Sequence, residues 1–542
     1  MRRDGTSHDS PLQLARFQAA LDLASPESSS GAALVQLALP TSRSIVLWCV
    51  PPRGAALSEL QLLWADGRPV THTTQALELD TTRASHAARI EIPDLQANHT
   101  YELTVRVNGG APVAVRAVTA PDASTRAAFS FCGFSCFAPF SKPNETPAVD
   151  ELARVARLPS PGKPAFLLGM GDQVYVDPGG AGAEQRSLLS GPNKEELRYE
   201  GRAQDFFDAL YRAHFSFAPF AEALANVPSA MMWDDHEIRD GWGSHGDEEA
   251  LLKTEGWRQH VAAARRWFVA YQGLRNPAPA EPLTHERIAL QESPSSPFGP
   301  ELHFSFAWGA LATFFVMDLR SQRSLTNVVS EAQLSSVRDW LAQRTARAGR
   351  VCVLVTPIPL TLPRWSPIDP GRFLPVRGDD TRDQWWSDTG SKDGAALRKI
   401  LVEHFTKFRQ DRLIILSGDV HYSEVRTITV PSEAGDEEAL VIGHEVVASG
   451  LAHARFYPVL ECVRWLEDKL PKFLDATLSS SSLGRYHGAA FVELFVSAPD
   501  DDGPPEVAVQ FHPGAVALEQ AHPLLSPRAR LLPMPGLLRG RT

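Results

Sequence analysis

The chain has 542 residues, 43% hydrophobic and 22% charged, which is too long for one core and too apolar for a disordered polymer, so two packed domains are expected. Its net charge of -11 disfavours nucleic acid, whose phosphates it would repel. Five cysteines (Cys49, Cys132, Cys136, Cys352 and Cys462) lie at no framework spacing and exclude a disulfide scaffold.

The amino terminus, M-R-R-D-G-T-S-H-D-S-P-L-Q-L-A-R, has arginines but no apolar run behind them, so a cytoplasmic location is the default expectation. No stretch approaches the roughly 20 uninterrupted apolar residues of a membrane-spanning helix. Residues 1–31 read as a flexible lead-in ending in S-P-E-S-S-S-G. From 32 to 121 short apolar runs alternate with turns: L-V-Q-L-A-L, S-I-V-L-W-C-V, L-Q-L-L-W, A-R-I-E-I, Y-E-L-T-V-R-V and V-A-V-R-A-V. Period-two alternation and a turn at Asn108-Gly109 predict an antiparallel β-sandwich. The segment L-Q-A-N-H-T-Y-E-L-T-V resembles the tyrosine corner of immunoglobulin-like and fibronectin-like domains, with Tyr101 at the corner and Trp48 and Trp64 in the core. His72, His86 and His99 read as loop or surface residues.

After a linker at Thr119–Thr125, strand-like and helix-like segments alternate from residue 129 to about 515, as in an α/β sheet covered by helices. Three insertions, Pro178–Pro192, Asn276–Pro300 and Pro363–Gly394, interrupt the alternation. The third, carrying Arg364, Arg372, Arg377, Trp385 and Trp386, is expected to hang over a site. Later, F-Y-P-V-L-E-C-V-R-W-L-E-D-K-L reads as a helix, A-F-V-E-L-F-V with E-V-A-V-Q-F as a closing hairpin, and 516–542 as a tail.

Three apolar strands end in chemistry-bearing residues: F-L-L-G-M-G-D-Q-V-Y-V-D (Phe166–Asp177), M-M-W-D-D-H-E-I-R-D (Met231–Asp240) and L-I-I-L-S-G-D-V-H (Leu413–His421). A lone Gly-Asp after a strand is commonly a turn with a capping carboxylate, whereas three such edges point to one shared site at the strand ends. Burying Asp172, Asp235, His236, Asp419 and His421 there without a cation would be costly.

In order, S-C, G-D-x-x-Y, W-D-D-H-E and G-D-V-H resemble the PhoD-like alkaline phosphatases of the calcineurin-like metallophosphoesterases. The resemblance spans about Phe129 to Pro513. It implies a four-layer α/β/β/α metallophosphoesterase sandwich preceded by an immunoglobulin/fibronectin-like β-sandwich. It implies a phosphoester substrate, monoester or diester, hydrolysed by a metal-bound hydroxide. The metal ligands it implies are Cys136, Asp172, Tyr175, Asp235, Asp419 and His421, holding ferric iron and calcium ahead of manganese or zinc. His236 would protonate the leaving alcohol, with Asp234 and Glu237 orienting it, while Asp240 is a weaker candidate for a ligand or phosphate contact. Cys132 competes with Cys136 in C-G-F-S-C; the Ser135-Cys136 pair at the strand's end favours the latter. In V-M-D-L-R-S-Q-R, Arg320, with Asp318 and Arg323 beside it, reads equally as a phosphate contact or a buried salt bridge. His444 stands either near the site or behind the sheet. A scaffold with a degenerate site and a nuclease-type phosphodiesterase are the competing functions.

Overall fold

The structure is a computed structural model that describes residues 32–80, 85–140, 146–176, 203–244, 248–277, 300–324, 326–343, 349–361, 383–385, 390–430, 439–452, 478–486, 488–498 and 503–513. The expected lead-in, tail, first insertion and the helix over 456–470 lie outside these residues, as do most of the other two insertions.

The first unit contains β1 (Leu34–Ala38), β2 (Ile45–Val50), β3 (Leu60–Trp64), β4 (Thr73–Asp80), β5 (Ser85–Ile92), β6 (Thr100–Val107) and β7 (Val113–Val118). β6 and β7 pair across a turn in which Asn108 and Gly109 both have positive φ, and the Asn108 carboxamide oxygen accepts the N–H groups of Ser58 and Glu59. The Tyr101 hydroxyl accepts the N–H of Gln96, the bond expected of a tyrosine corner.

The larger unit begins with β8 (Phe129–Phe134), α1 (Pro147–Ala156), β9 (Leu167–Met170), α2 (Ala203–Phe215), α3 (Ala218–Asn226) and β10 (Ser229–Met232). It continues through a 3-10 turn (Asp235–Glu237) to α4 (Glu248–Leu251) and α5 (Glu255–Tyr271). The second half holds β11 (Phe304–Trp308), β12 (Ala312–Val316), α6 (Glu331–Ala342), β13 (Val351–Thr356), α7 (Gly390–Lys407), β14 (Arg412–Ser417), β15 (Ser423–Val430), β16 (Leu440–Ala448) and β17 (Ser479–Tyr486). It closes with the hairpin of β18 (Ala490–Ser497) and β19 (Glu506–Pro513).

Two large sheets stack face to face. One runs β19-β18-β8-β9-β10-β1-β2-β5-β4, the other β11-β12-β13-β14-β16-β15-β17. Phe131, Leu168, Met170, Phe314, Val353 and Leu416 fill the layer between them. On the outer face of the first sheet, α5 buries Trp257, Val261, Ala264, Phe268 and Tyr271 at helical spacing. On the outer face of the second, Leu334 and Val337 of α6 and Leu397 and Leu401 of α7 cover Leu354 and Ile415. The order is therefore helix, sheet, sheet, helix.

The first unit is the expected β-sandwich, with β1, β2, β5 and β4 packed against a three-stranded sheet of β3, β6 and β7, and its first sheet also continues into the nine-stranded sheet through the parallel pair Ala38–Ser229 of β1 and β10. This is why β2 is buried at every position: Ile45, Leu47 and Cys49 face the small sheet, and Val46, Trp48 and Val50 face the helices. Trp48 thus belongs to the helical layer, donating its indole N–H to the Ala270 carbonyl (2.6 Å) under the Arg275 guanidinium. Trp64, expected in the core, is only half-buried beside Tyr101. No helix of the described residues is long and apolar enough to cross a membrane.

Candidate metal centre

Parallel strands β8, β9 and β10 of one sheet and β14 and β16 of the other all end at the same edge of the stack. Each gives way to a loop bearing polar side chains: Ser135-Cys136, Gly171-Asp172, Trp233–Glu237, Gly418–His421 and Ser449-Gly450. The backbone ties them together. Cys136 and Phe137 donate their N–H groups to the carbonyls of Gly171 and Asp172, and Leu451 and Ala452 donate theirs to Ser135 and Cys136.

Four residues in these loops have positive φ: Cys136 (+56°), Asp172 (+60°), Asp419 (+66°) and His421 (+58°). The other non-glycine residues with positive φ among those described, Asp94, Asn98 and Asn108, lie outside the site in the first unit. Left-handed backbone costs such residues about 1–3 kcal/mol each, and it persists where the surroundings demand a particular side-chain direction. Gly171 (φ +92°) is needed for a second reason, since a Cβ there would lie 2.6 Å from the Asp234 Cβ.

Asp172 is buried at the centre. Its Oδ2 accepts the Tyr175 hydroxyl (3.1 Å) and stands 3.5 Å from Cys136 Sγ, while its Oδ1 is buried with no hydrogen-bond partner among the described residues. Asp172, Asp234, Asp235 and Asp419 each place a carboxylate oxygen within 4.8 Å of the others, and a carboxylate oxygen of Asp172, one of Asp235 and a ring nitrogen of His236 lie within the same distance of one another. The His236 ring lies 4.1 Å, centre to centre, from that of Tyr175. His421 joins through its N–H, which donates to Ser449 Oγ (2.8 Å), and that oxygen is 3.1 Å from Cys136 Sγ. Cys132 is directed away, into the helical layer, so Cys136 is the cysteine that reaches Asp172.

Glu237 holds this arrangement from behind by accepting the N–H groups of Asp172, Gln173, Val174 and Asp234 and the Gln272 amide. Burial raises its carboxyl to about 7 despite these bonds. Asp318 accepts the Trp233 indole N–H (2.8 Å) and anchors the neighbouring loop. Arg320 is fully buried, and all five of its N–H groups are spent: on Asp234 and Asp235, twice on Asp383, and on the Trp242 carbonyl. Of its two readings, the buried salt bridge is the one seen; no N–H remains to meet a phosphate oxygen. Arg323 also pairs with Asp383 (3.0 Å).

Burial pushes the Asp172 carboxyl well up; the charge of His236 opposes this, and the carboxylates of Asp235, Asp234 and Glu237 add to it. Burial, then the Asp383 and Asp235 carboxylates, lift Asp419 to about 7. Burial and the Asp172 carboxylate push the Cys136 thiol well up. This crowded negative charge, with a buried oxygen lacking any donor, is the environment a cation relieves.

Asp383, Gln384 and Ser449 were not singled out from the sequence. Ser449 was readable, because A-S-G after the apolar run of β16 repeats the strand-then-polar pattern of the other edges. Asp383 and Gln384, whose amide donates to Asp419 Oδ2 (3.0 Å), carry no such signal within their insertion. Of that insertion's expected residues, Trp385 is core, donating to the Ile358 carbonyl, and Arg364, Arg372, Arg377 and Trp386 lie outside the described residues. His444 sits within β16 opposite Ile414 and Thr427, four residues before Ala448, where burial lowers it to about 4. Asp240 is half-buried in the turn beyond the 3-10 turn. A separate cluster, Cys352, His404 and Asp411, lies at the opposite edge of the second sheet, where His404 and Asp411 pair at 3.0 Å.

The family profile described as "PhoD-like phosphatase" matches residues 131–482, from β8 to β17, and so covers every loop of this site. This chain belongs to the PhoD-like phosphatase family. The family's metal dependence agrees with the ligand-rich edge, and its activity is phosphoester hydrolysis. A solved structure titled "Structure of PhoD" is similar over 89% of this chain and 90% of its own, with a TM-score of 0.53 and 16% identity, a likeness of fold. The "Uncharacterized protein YGR266W" of Saccharomyces cerevisiae is 26% identical over 249 residues. That match takes in 38% of this chain and 34% of the yeast protein, so this chain spans about a third of that relative's length.

Proposed function

We propose that the chain hydrolyses phosphate esters, monoesters or diesters, at a two-cation centre. The observation that carries this is the meeting of one oxygen each from Asp172, Asp235 and Asp419 within 4.8 Å of one another, with the buried Asp172 Oδ1 given no donor among the described residues. Asp172, whose Oδ2 faces Tyr175 and Cys136, would be the residue shared between the two ions. Cys136, Tyr175 and His421 would hold one ion, and a thiolate with a phenolate suits ferric iron. Asp235 and Asp419 would hold the other, an all-oxygen set that suits calcium. When bound, such a pair lowers the pKa of a water and clamps the phosphoryl oxygens. The protein's own contribution is geometric and protonic. Glu237 fixes two of the loops, Arg320 neutralises the carboxylates from behind, and His236, half-buried beside Tyr175, gives a proton to the departing alcohol.

The test is metal analysis of the purified protein together with p-nitrophenyl phosphate and bis-p-nitrophenyl phosphate assays, with and without chelator. Iron and calcium in near-equal amounts, and hydrolysis abolished by chelator and by Asp172→Ala or Asp419→Ala, are expected. Hydrolysis that survives either substitution sinks the reading. The ratio of the two substrates sets the ester class.

A further inference from the structure

Ser449 touches two proposed ligands on two different loops. Its Oγ accepts the His421 N–H at 2.8 Å and lies 3.1 Å from Cys136 Sγ. Its own proton must go somewhere, and among the described residues Sγ is the acceptor in reach. Ser135 is also close to Sγ (3.4 Å), but its proton has the Ala448 carbonyl at 3.1 Å, and it fills the space under Gly418, where a Cβ would come within 2.5 Å of its oxygen. The Cys136 S–H in turn points to Asp172 Oδ2 (3.5 Å), so the sulfur's lone pairs are left facing Ser449.

We propose that Ser449 is the positioning residue of the Cys136 ligand: it donates its hydroxyl proton to the sulfur while its oxygen holds His421, fixing the spacing of the two ligands. This rests on the reading of Cys136 as a cation ligand. On loading, the Cys136 S–H proton leaves to solvent, the sulfur–metal bond forms, and the Ser449 hydrogen bond remains on the resulting thiolate, which it stabilises and makes less electron-donating. The hydroxyl therefore tunes the ion without touching substrate.

The experiment loads the full chain with ferric iron and compares it with Ser449→Ala, Ser449→Thr and Cys136→Ala. In Ser449→Ala the sulfur-to-iron absorption band should shift and iron affinity fall about 10–100-fold, the usual loss when a ligand's hydrogen-bond partner is removed. Ser449→Thr, which keeps the hydroxyl, should restore both. Should Ser449→Ala fail to fold, the unsubstituted protein still decides: the iron–sulfur stretch in resonance Raman should move on exchange from water to deuterium oxide. An unmoved stretch, or a Ser449→Ala band and affinity equal to those of the unsubstituted chain, overturns the role of Ser449 while Cys136→Ala still removes the band. A Cys136→Ala protein with unchanged iron and spectrum overturns the ligand reading and this inference with it.

Discussion

The guanidinium of Arg320 answers three carboxylates at once, Asp234, Asp235 and Asp383, from a fully buried position. Burial alone would lower its pKa, yet those carboxylates raise it well above the ordinary value. Removing one partner of such a group leaves unpaired buried charge, so Arg320→Ala should lose about 3–5 kcal/mol in urea unfolding with chelator present. The acidic side predicts a pH effect. Asp419 has an ordinary value of 3.8 and stands at about 7 when folded. Between those values the folded chain holds a proton that the unfolded chain has released, so the metal-free protein should lose stability as pH rises through this window and then level off. Melting curves across pH should show this slope in the metal-free chain and a smaller one in Asp419→Asn. Cation affinity should rise over the same window, because the ligands bind deprotonated.

At the scale of elements, the site depends on how closely the end of β9 approaches the loop after β10. Gly171 sits where a Cβ would be 2.6 Å from the Asp234 Cβ, and its φ of +92° is one that other residues resist. Gly171→Ala should cost more than the roughly 1 kcal/mol of an ordinary backbone mismatch and also reduce bound metal, since it separates Asp172 from Asp234. Melting temperature and metal stoichiometry measured together would check this; full metal content at a lowered melting temperature would mean that the loops tolerate separation. These edges were readable because each is local: an apolar run that stops at Gly-Asp or at Asp-Asp-His shows both the strand and its end. Cys132 and Cys136 share the parity of an alternating strand; they part because Cys132 lies within β8 on its helical face, whereas Cys136 lies beyond the strand's end, where its positive φ accompanies the approach of its sulfur to Asp172.

Across the whole molecule, the first unit contributes sheet and core to the second. Trp48 lies under the helices that cover the nine-stranded sheet, against Phe215, Tyr271 and Arg275. Trp48→Ala should therefore destabilise the larger unit by about 3–5 kcal/mol, read as a single urea transition in which the proposed hydrolysis and fluorescence are lost together. Loss of fluorescence with hydrolysis intact would show the two units to be energetically independent. From residue order alone came the strand ends, the corner hairpin with Tyr101, the α/β class and the acidic cluster, because short-range periodicity and turn chemistry encode them. The tertiary structure alone decided the sharing of one sheet by both units, the turning of Arg320 inward to Asp383, and the meeting of Ser449 with Cys136. Those contacts join residues from 63 to 313 positions apart, and such pairings are set by which apolar faces can be buried together, a choice no local stretch of sequence records.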